Sequence, residues 1–302
     1  MNKTAEAARG AAGERPRREH VIVLADGRRL AYAEYGDPAG TPVFFFHGYP
    51  GSRLEASLGD DAARGQHVRV IAPDRPGFGL SDPQRGRRIL DWPRDVVQLA
   101  DGLGVERFAV VGISGGGPYA AACAYAIPER LTGAAIISGV GPFDINGATE
   151  GMSRENRVLF WLARRAPQLT YIPLFLMAQV VRRWPQRALR QMMKSMPEPD
   201  RRVLSDPATG AAFIADAREA FRQGIGAAVQ EGAIYARPWG FRLEDVRMPV
   251  HLWQGGADTN VPPVMGRYQA QAIPNCIATF YEDEGHLLGV THLGEILAAI
   301  TG

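Results

Sequence analysis

The sequence predicts an α/β protein: a mostly parallel sheet covered by helices on both sides, with a helical segment inserted late in the chain. Three observations carry this. Short apolar runs of β type alternate with helix-type runs through residues 20–141 and again from 240 to 302, which is the pattern of strands joined by crossover helices. Most of those β-type runs are continuously apolar, as strands buried between two helical layers must be. From about Pro142 to Trp239 the alternation stops, and the stretch is too long for a structureless loop in a compact domain.

Taken in order, residues 1–19 are rich in Ala, Gly, Arg and Glu and read as a disordered tail. His20 to Leu24 and Arg29 to Tyr35 form a hairpin, because Asp26-Gly27 between two alternating runs is a strong turn signal, and Gly36-Asp37-Pro38 closes it. The hairpin supplies an antiparallel edge. Pro42 to Phe46 is a buried strand, followed by the loop His47 to Arg53 and a helix from Leu54 to Arg64. Val68 to Ala72 is the next strand and runs into the loop Pro73 to Asp82. Asp91 to Leu103 has Trp92, Val96, Leu99 and Leu103 at helical spacing, with Asp91 placed to cap it.

Phe108 to Val111 is a strand and Tyr119 to Ala126 a helix, so Ser114 falls on a very tight turn between them. Gly112-Ile113-Ser114-Gly115-Gly116 fits the nucleophile-elbow pattern G-x-S-x-G. A serine held in strained backbone presses the residues two before and two after it together, and only side chains as small as glycine fit there. The turn also aims the first amides of the following helix at one point, where negative charge can bind. A phosphate-binding loop is the competing reading, but G-x-x-x-x-G-K-[ST] and a nearby lysine are both missing.

Gly133 to Ser138 is another strand. Residues 142–239 are helical in pattern, rich in Arg, Met, Trp and Phe and broken by Pro167, Pro173, Pro185, Pro197 and Pro199. They read as a cap inserted into a core of residues 20–141 and 240–302. The alternation then resumes with a strand at Pro249 to Gln254, a helix at Pro262 to Ala272, a strand at Ile277 to Tyr281 and a closing helix from Leu293 to Ile300.

A net charge of +2, from 34 basic and 32 acidic residues, argues against a nucleic-acid partner, which needs a concentrated basic footprint. Cys123 and Cys276 form no CxxC pair and read as buried small hydrophobes. The first 20 residues lack the apolar h-region of a secretory signal, and no apolar run reaches the roughly 18 residues that span a bilayer. These features predict a soluble, cytoplasmic protein without a membrane span.

With these pieces placed, the chain resembles the α/β-hydrolase family from about residue 20 to the end, the cap excepted. The residues that carry the resemblance are His47-Gly48-Tyr49-Pro50, Asp74-Arg75-Pro76-Gly77-Phe78-Gly79, the elbow at Ser114, Gly256-Ala257-Asp258 and Gly285-His286. It implies an eight-stranded, mostly parallel sheet and a triad in the order Ser, Asp, His.

Neutral Ser114 needs a base within hydrogen-bond reach to attack an acyl carbon, and the resemblance puts the family's catalytic histidine at His286. A carboxylate that fixes the tautomer of that histidine strengthens it as a base. Asp258 occupies the family's acid position, with Asp144 as the alternative. An Asx-turn or helix cap is the competing role for Asp258. By resemblance the oxyanion donors are the N–H groups of Tyr49 and Gly115. The HGxP loop is also similar to epoxide hydrolases and haloalkane dehalogenases, but those carry Asp at the elbow where this chain has Ser114.

The implied activity is hydrolysis of an ester, thioester or related small-molecule acyl substrate, with no cofactor or metal. The alternatives are a lyase, an acyltransferase, a cofactor-free peroxidase-type enzyme or a non-enzymatic ligand receptor. Oligomeric state is left open. Within the cap, residues 154–202 hold eleven basic and three acidic residues. That bias suits an anionic substrate, a carrier protein or an anionic membrane surface, or is simply the solvated face of amphipathic helices. Trp161, Tyr171, Phe175, Met177 and Trp184 are expected mostly in the cap core, with one or two facing an acyl pocket.

Overall fold

The computed structural model describes residues 18–302; the expected N-terminal tail lies almost wholly outside the described residues. The strands are β1 (Arg18–Val23), β2 (Arg29–Gly36), β3 (Thr41–Phe46), β4 (Val68–Pro73), β5 (Phe108–Ile113), β6 (Leu131–Ile137), β7 (Val250–Gly255) and β8 (Cys276–Tyr281). They form one eight-stranded sheet in the order β1-β2-β4-β3-β5-β6-β7-β8. β1 pairs with β2, and β2 with β4, in antiparallel fashion; every other pairing is parallel.

The helices are α1 (Asp60–Gly65), α2 (Trp92–Gly102), α3 (Gly117–Ala126), α4 (Arg154–Arg165), α5 (Tyr171–Arg183), α6 (Pro185–Ser195), α7 (Glu198–Ser205), α8 (Pro207–Ala220), α9 (Gly226–Tyr235), α10 (Pro263–Ala272), α11 (Leu288–Thr291) and α12 (Leu293–Thr301). Helices α4 to α9 follow one another between β6 and β7, with no strand among the described residues there.

The sheet order explains where a site forms. The chain leaves β3 for β4 on one side and later returns to pair β5 on the other. That reversal opens a crevice beyond the carboxyl ends of β3 and β5, the switch point at which ligands bind in open α/β sheets. The core beneath it is buried on both faces of the sheet. Phe44, Phe46, Phe108, Val110 and Ile136 are fully buried on one face of the sheet, and Val43, Phe45, Val111 and Ile137 lie on the other. Small side chains let α3 sit close to the sheet, and all of it from Gly117 to Ala124 is buried.

Several local expectations need correction. Leu54 to Arg64 is not one helix: Arg53–Gly59 winds as a 3₁₀ segment before α1, with the Arg53 amide and side chain bonded inward to Asp74. Asp91 does not cap α2 through its side chain. A 3₁₀ turn, Ile89–Asp91, precedes the helix, and Asp91 Oδ2 accepts the Arg88 N–H within that turn. Cys123 is buried as expected, but Cys276 is only half-buried, because β8 is the edge strand and has one side open.

The largest correction concerns the aromatic and methionine residues of the helical segment. Trp161, Tyr171, Phe175, Met177 and Trp184 are all exposed. The buried stripe of α5 is instead Leu174, Ala178 and Val181, at i, i+4 and i+7. These pack on Phe221, Ala228 and Ile214, and Phe160 is the buried ring of α4.

Candidate active site

Ser114 sits between β5 and a 3₁₀ turn, Ser114–Gly116, that leads into α3. Its φ is +52°, in the left-handed region that non-glycine residues rarely enter. The surroundings hold it there. A Cβ on Gly112 would lie 2.3 Å from the Gly116 carbonyl oxygen, and one on Gly116 would lie 2.0 Å from the Phe46 carbonyl oxygen. The steric reasoning for glycine on both sides of the serine therefore holds in the folded chain.

The loop after β3 meets this turn. A Cβ on Gly48 would stand 3.6 Å from Ser114 Cβ, and one on Gly115 would lie 3.2 Å from the Tyr49 amide nitrogen. The two backbone segments expected to supply oxyanion donors are thus in direct contact. The Tyr49–Pro50 peptide is cis.

His286 and Asp258 arrive from the loops after β8 and β7, which are adjacent and parallel. His286 Nδ1 lies 2.8 Å from Asp258 Oδ2. With Asp258 ionised, Nδ1–H donates and Nε2 is left free to accept a proton. Asp258 Oδ1 meanwhile accepts the N–H groups of Asn260 and Val261 at 2.8 and 2.9 Å. Asp258 therefore makes both the turn and the contact with His286, and the two roles set out for it are not exclusive. Asp144 is exposed in the loop after β6 and borders a groove with Arg267 and Tyr268. Burial disfavours the charged imidazolium of His286, but the carboxylates of Asp258, Asp200 and Glu55 outweigh it and raise the pKa above the ordinary histidine value.

Sequence reasoning missed the acidic groups that tie helices α7, α8 and α9 to these loops. Asp200 of α7 accepts the backbone N–H of His286 (3.1 Å) and of Leu287 (2.8 Å). Asp216 of α8 accepts the Ser52 N–H and hydroxyl at 2.8 and 2.6 Å, beside the β3 loop. Burial and the neighbouring Glu55 push the Asp216 carboxyl well above the usual range. Glu55 itself accepts the Gly48 N–H and lines a cavity of ≈ 30 Å³ with His286, Ile113 and Phe213.

Glu231 of α9 is fully buried and bonds Arg75 (2.8 and 3.1 Å), Arg87 (2.8 Å) and the Tyr119 hydroxyl (2.8 Å). Burial opposes its charge, yet the two guanidinium groups win and hold its pKa down at about 2. Arg75 in turn donates to the carbonyls of His47 and Gly48. His47 completes the brace. Its Nε2 accepts the Arg75 N–H at 3.1 Å, and its Nδ1–H donates to the Gly48 carbonyl at 2.9 Å. Burial and Arg75 push the His47 pKa well below normal, so the ring is neutral and structural. Tyr235 of α9 donates to the Gly115 carbonyl at 2.7 Å, and Tyr49 to the Ala228 carbonyl at 2.7 Å.

A sequence signal for Glu231 did exist. Gly226–Tyr235 is a run of small and apolar residues broken only by Gln230 and Glu231, and a carboxylate on such a helix must find a partner or stay neutral. The same pattern marks Asp216, the one charged residue in the small and apolar run 207–217 of α8, but no comparable pattern marks Asp200.

The family model for the alpha/beta hydrolase fold matches residues 41–293. The chain belongs to this family. Among curated relatives, it is 34% identical over 134 residues to a non-heme chloroperoxidase of Streptomyces lividans, covering 43% of this chain and 48% of the relative. It is also 34% identical over 124 residues to the uncharacterized hydrolase YcgS of Bacillus subtilis, covering 41% of this chain and 42% of the relative. This alpha/beta hydrolase thus spans less than half the length of either relative. Among solved structures it is similar to the esterase RhEst1 from Rhodococcus sp. ECU1013, with a TM-score of 0.67 and 21% identity over 94% of this chain and 99% of that one. The enol-lactonase from Burkholderia xenovorans LB400 gives a TM-score of 0.66 and 19% identity over 93% and 99%. At these identities the likeness is one of fold.

Proposed function

We propose that this alpha/beta hydrolase is a serine hydrolase that cleaves an ester, thioester or related acyl bond through an acyl-enzyme on Ser114. The observation that carries the proposal is the 2.8 Å contact of His286 Nδ1 with Asp258 Oδ2, together with a serine in left-handed backbone at the switch point. Ser114 Oγ attacks the acyl carbon while His286 Nε2 takes its proton. Asp258 keeps the proton on Nδ1 and stabilises the imidazolium. The charge that develops on the carbonyl oxygen meets the N–H groups of Tyr49 and Gly115. Collapse expels the alcohol or thiol, which takes the proton from His286. Water then attacks the acyl-enzyme with His286 again as base, releasing the acid and restoring Ser114.

Residues 142–239 act as the cap over the acyl site. Asp200, Asp216 and Glu231 tether it to the loops of His286, Ser52 and Arg75, so we infer that substrate enters without wholesale removal of the cap. A fluorophosphonate probe with wild type and Ser114→Ala, followed by a panel of small acyl esters, tests the reading; turnover that survives Ser114→Ala would falsify it.

A further inference from the structure

Helix α5 buries one side and leaves an equally apolar side uncovered. Leu174, Ala178 and Val181 pack inward. Beside this stripe, the first two turns leave Tyr171, Ile172, Phe175 and Leu176 between 46% and 66% exposed. No charged side chain interrupts residues 166–181. The turn Pro167–Thr170 packs on both α4 and α5 and carries the exposed Leu169, and Trp161 of α4 is 58% exposed. Soluble proteins scatter exposed apolar residues singly, whereas a contiguous group rimmed by charge marks an interaction surface.

The exposed charge on these helices and on α6 is almost all basic. Arg164 and Arg165 close α4, Arg182 and Arg183 close α5, and Arg187, Arg190 and Lys194 follow on α6, all exposed. Among the described residues, no carboxylate lies within ion-pair distance of any of these seven. Of the three acidic residues in 154–202, Asp200 is buried against the His286 loop, Glu198 pairs with Arg202, and Glu155 is exposed in the first turn of α4.

We propose that this face, formed by α4, α5 and α6, docks on an anionic lipid bilayer. The apolar turns of α5 enter the headgroup boundary, where rings with one apolar and one polar end are favoured, and the unpaired arginines meet the anionic headgroups. The charge pattern chooses this occupant. A second copy of the same face would bring two sets of like-charged arginines together, and a neutral apolar partner would leave them without counter-charge. The binding proposed here does not depend on the chemistry at Ser114.

The test is co-sedimentation of the full chain with vesicles of phosphatidylcholine alone and with about one third phosphatidylserine, at low and at physiological salt. Binding to the phosphatidylserine vesicles is expected to be at least roughly tenfold tighter than to phosphatidylcholine and to weaken with salt. The pair Ile172→Glu and Leu176→Glu should reduce it by at least about tenfold, since a helix of this kind binds through its buried apolar area. Neutralising Arg182→Gln and Arg183→Gln should cost several-fold and flatten the salt dependence. Melting temperatures of both variants should match wild type, because all four side chains are exposed. Three results would overturn the proposal: no sedimentation with phosphatidylserine vesicles, equal binding to both vesicle types, or undiminished binding by the Ile172→Glu, Leu176→Glu variant. A wild-type dimer that this variant abolishes, without any vesicle binding, would assign the face to a second copy instead.

Discussion

Asp200 holds the His286 loop by its backbone, with Oδ2 accepting the N–H of His286 at 3.1 Å and Oδ1 that of Leu287 at 2.8 Å. The two residues stand 86 positions apart and belong to different layers of the molecule. A Cβ at Gly285 would lie 2.3 Å from Asp200 Oδ1, so the loop and the carboxylate are already in close contact. In the proposed mechanism Asp200 is a positioning residue. Asp200→Ala should lower kcat by roughly tenfold to a hundredfold through misplacement of the base, with KM for a small ester little changed. Because Asp200 also helps to raise the His286 pKa, the acid limb of the rate profile should move to lower pH. A merely structural role predicts less active protein with an unmoved limb.

Ser114→Ala should abolish covalent labelling by a fluorophosphonate and reduce ester turnover by several orders of magnitude, on the order of 10⁶ in a well-studied unrelated serine enzyme. Intact-mass measurement after labelling checks this directly. A probe adduct that persists in the variant would place the nucleophile elsewhere.

The His286–Asp258 pair makes a signed pH prediction. In the proposed mechanism His286 acts as a base only when neutral, and its pKa is raised, so kcat/KM should climb with pH through a value above the ordinary 6.5. The folding contribution runs the other way: the pairing of charged His286 stabilises the fold fully below the unfolded pKa and is lost as pH rises through the raised folded value. Asp258→Asn removes the largest stabilising partner, and should cost about 10⁴ in turnover and move the acid limb down. Asp144→Asn, an exposed change away from His286, should leave both nearly as they were. The opposite pattern would transfer the acid role to Asp144.

Glu231 should matter for stability and for rate together. Glu231→Gln leaves Arg75 and Arg87 buried without their counter-charge, a loss of about 3–5 kcal/mol for a broken buried pair. Folding depresses the Glu231 pKa from 4.5 to about 2. Its stabilisation is therefore present above pH 4.5 and disappears as pH falls towards 2. The melting-temperature gap between wild type and variant should be widest near neutral pH and close on acidification. If Arg75 braces the carbonyls of His47 and Gly48, turnover by the folded fraction should fall as well.

Much of this protein was determined by sequence alone, and for a local reason. Strand alternation, the glycines around Ser114, and the order of Ser114, Asp258 and His286 are short-range features, because side-chain size and backbone strain act over a few residues. Those features sufficed for the sheet, the strained turn at Ser114 and a residue pair that meets at 2.8 Å. Tertiary structure alone decided which side of each inserted helix faces inward. Helical spacing identifies residues that share a face, but α5 has apolar residues on both, and only packing against Phe221 and Ala228 selects Leu174 and Ala178 over Tyr171 and Phe175. The same holds for Asp200, Asp216 and Glu231, whose partners lie 86, 164 and 156 residues away. Local pattern shows at most that a carboxylate such as Glu231 needs a partner, not which distant N–H or guanidinium will pair with it. That pairing exists only once the helices close over the sheet, where an unpaired buried charge would cost too much to keep.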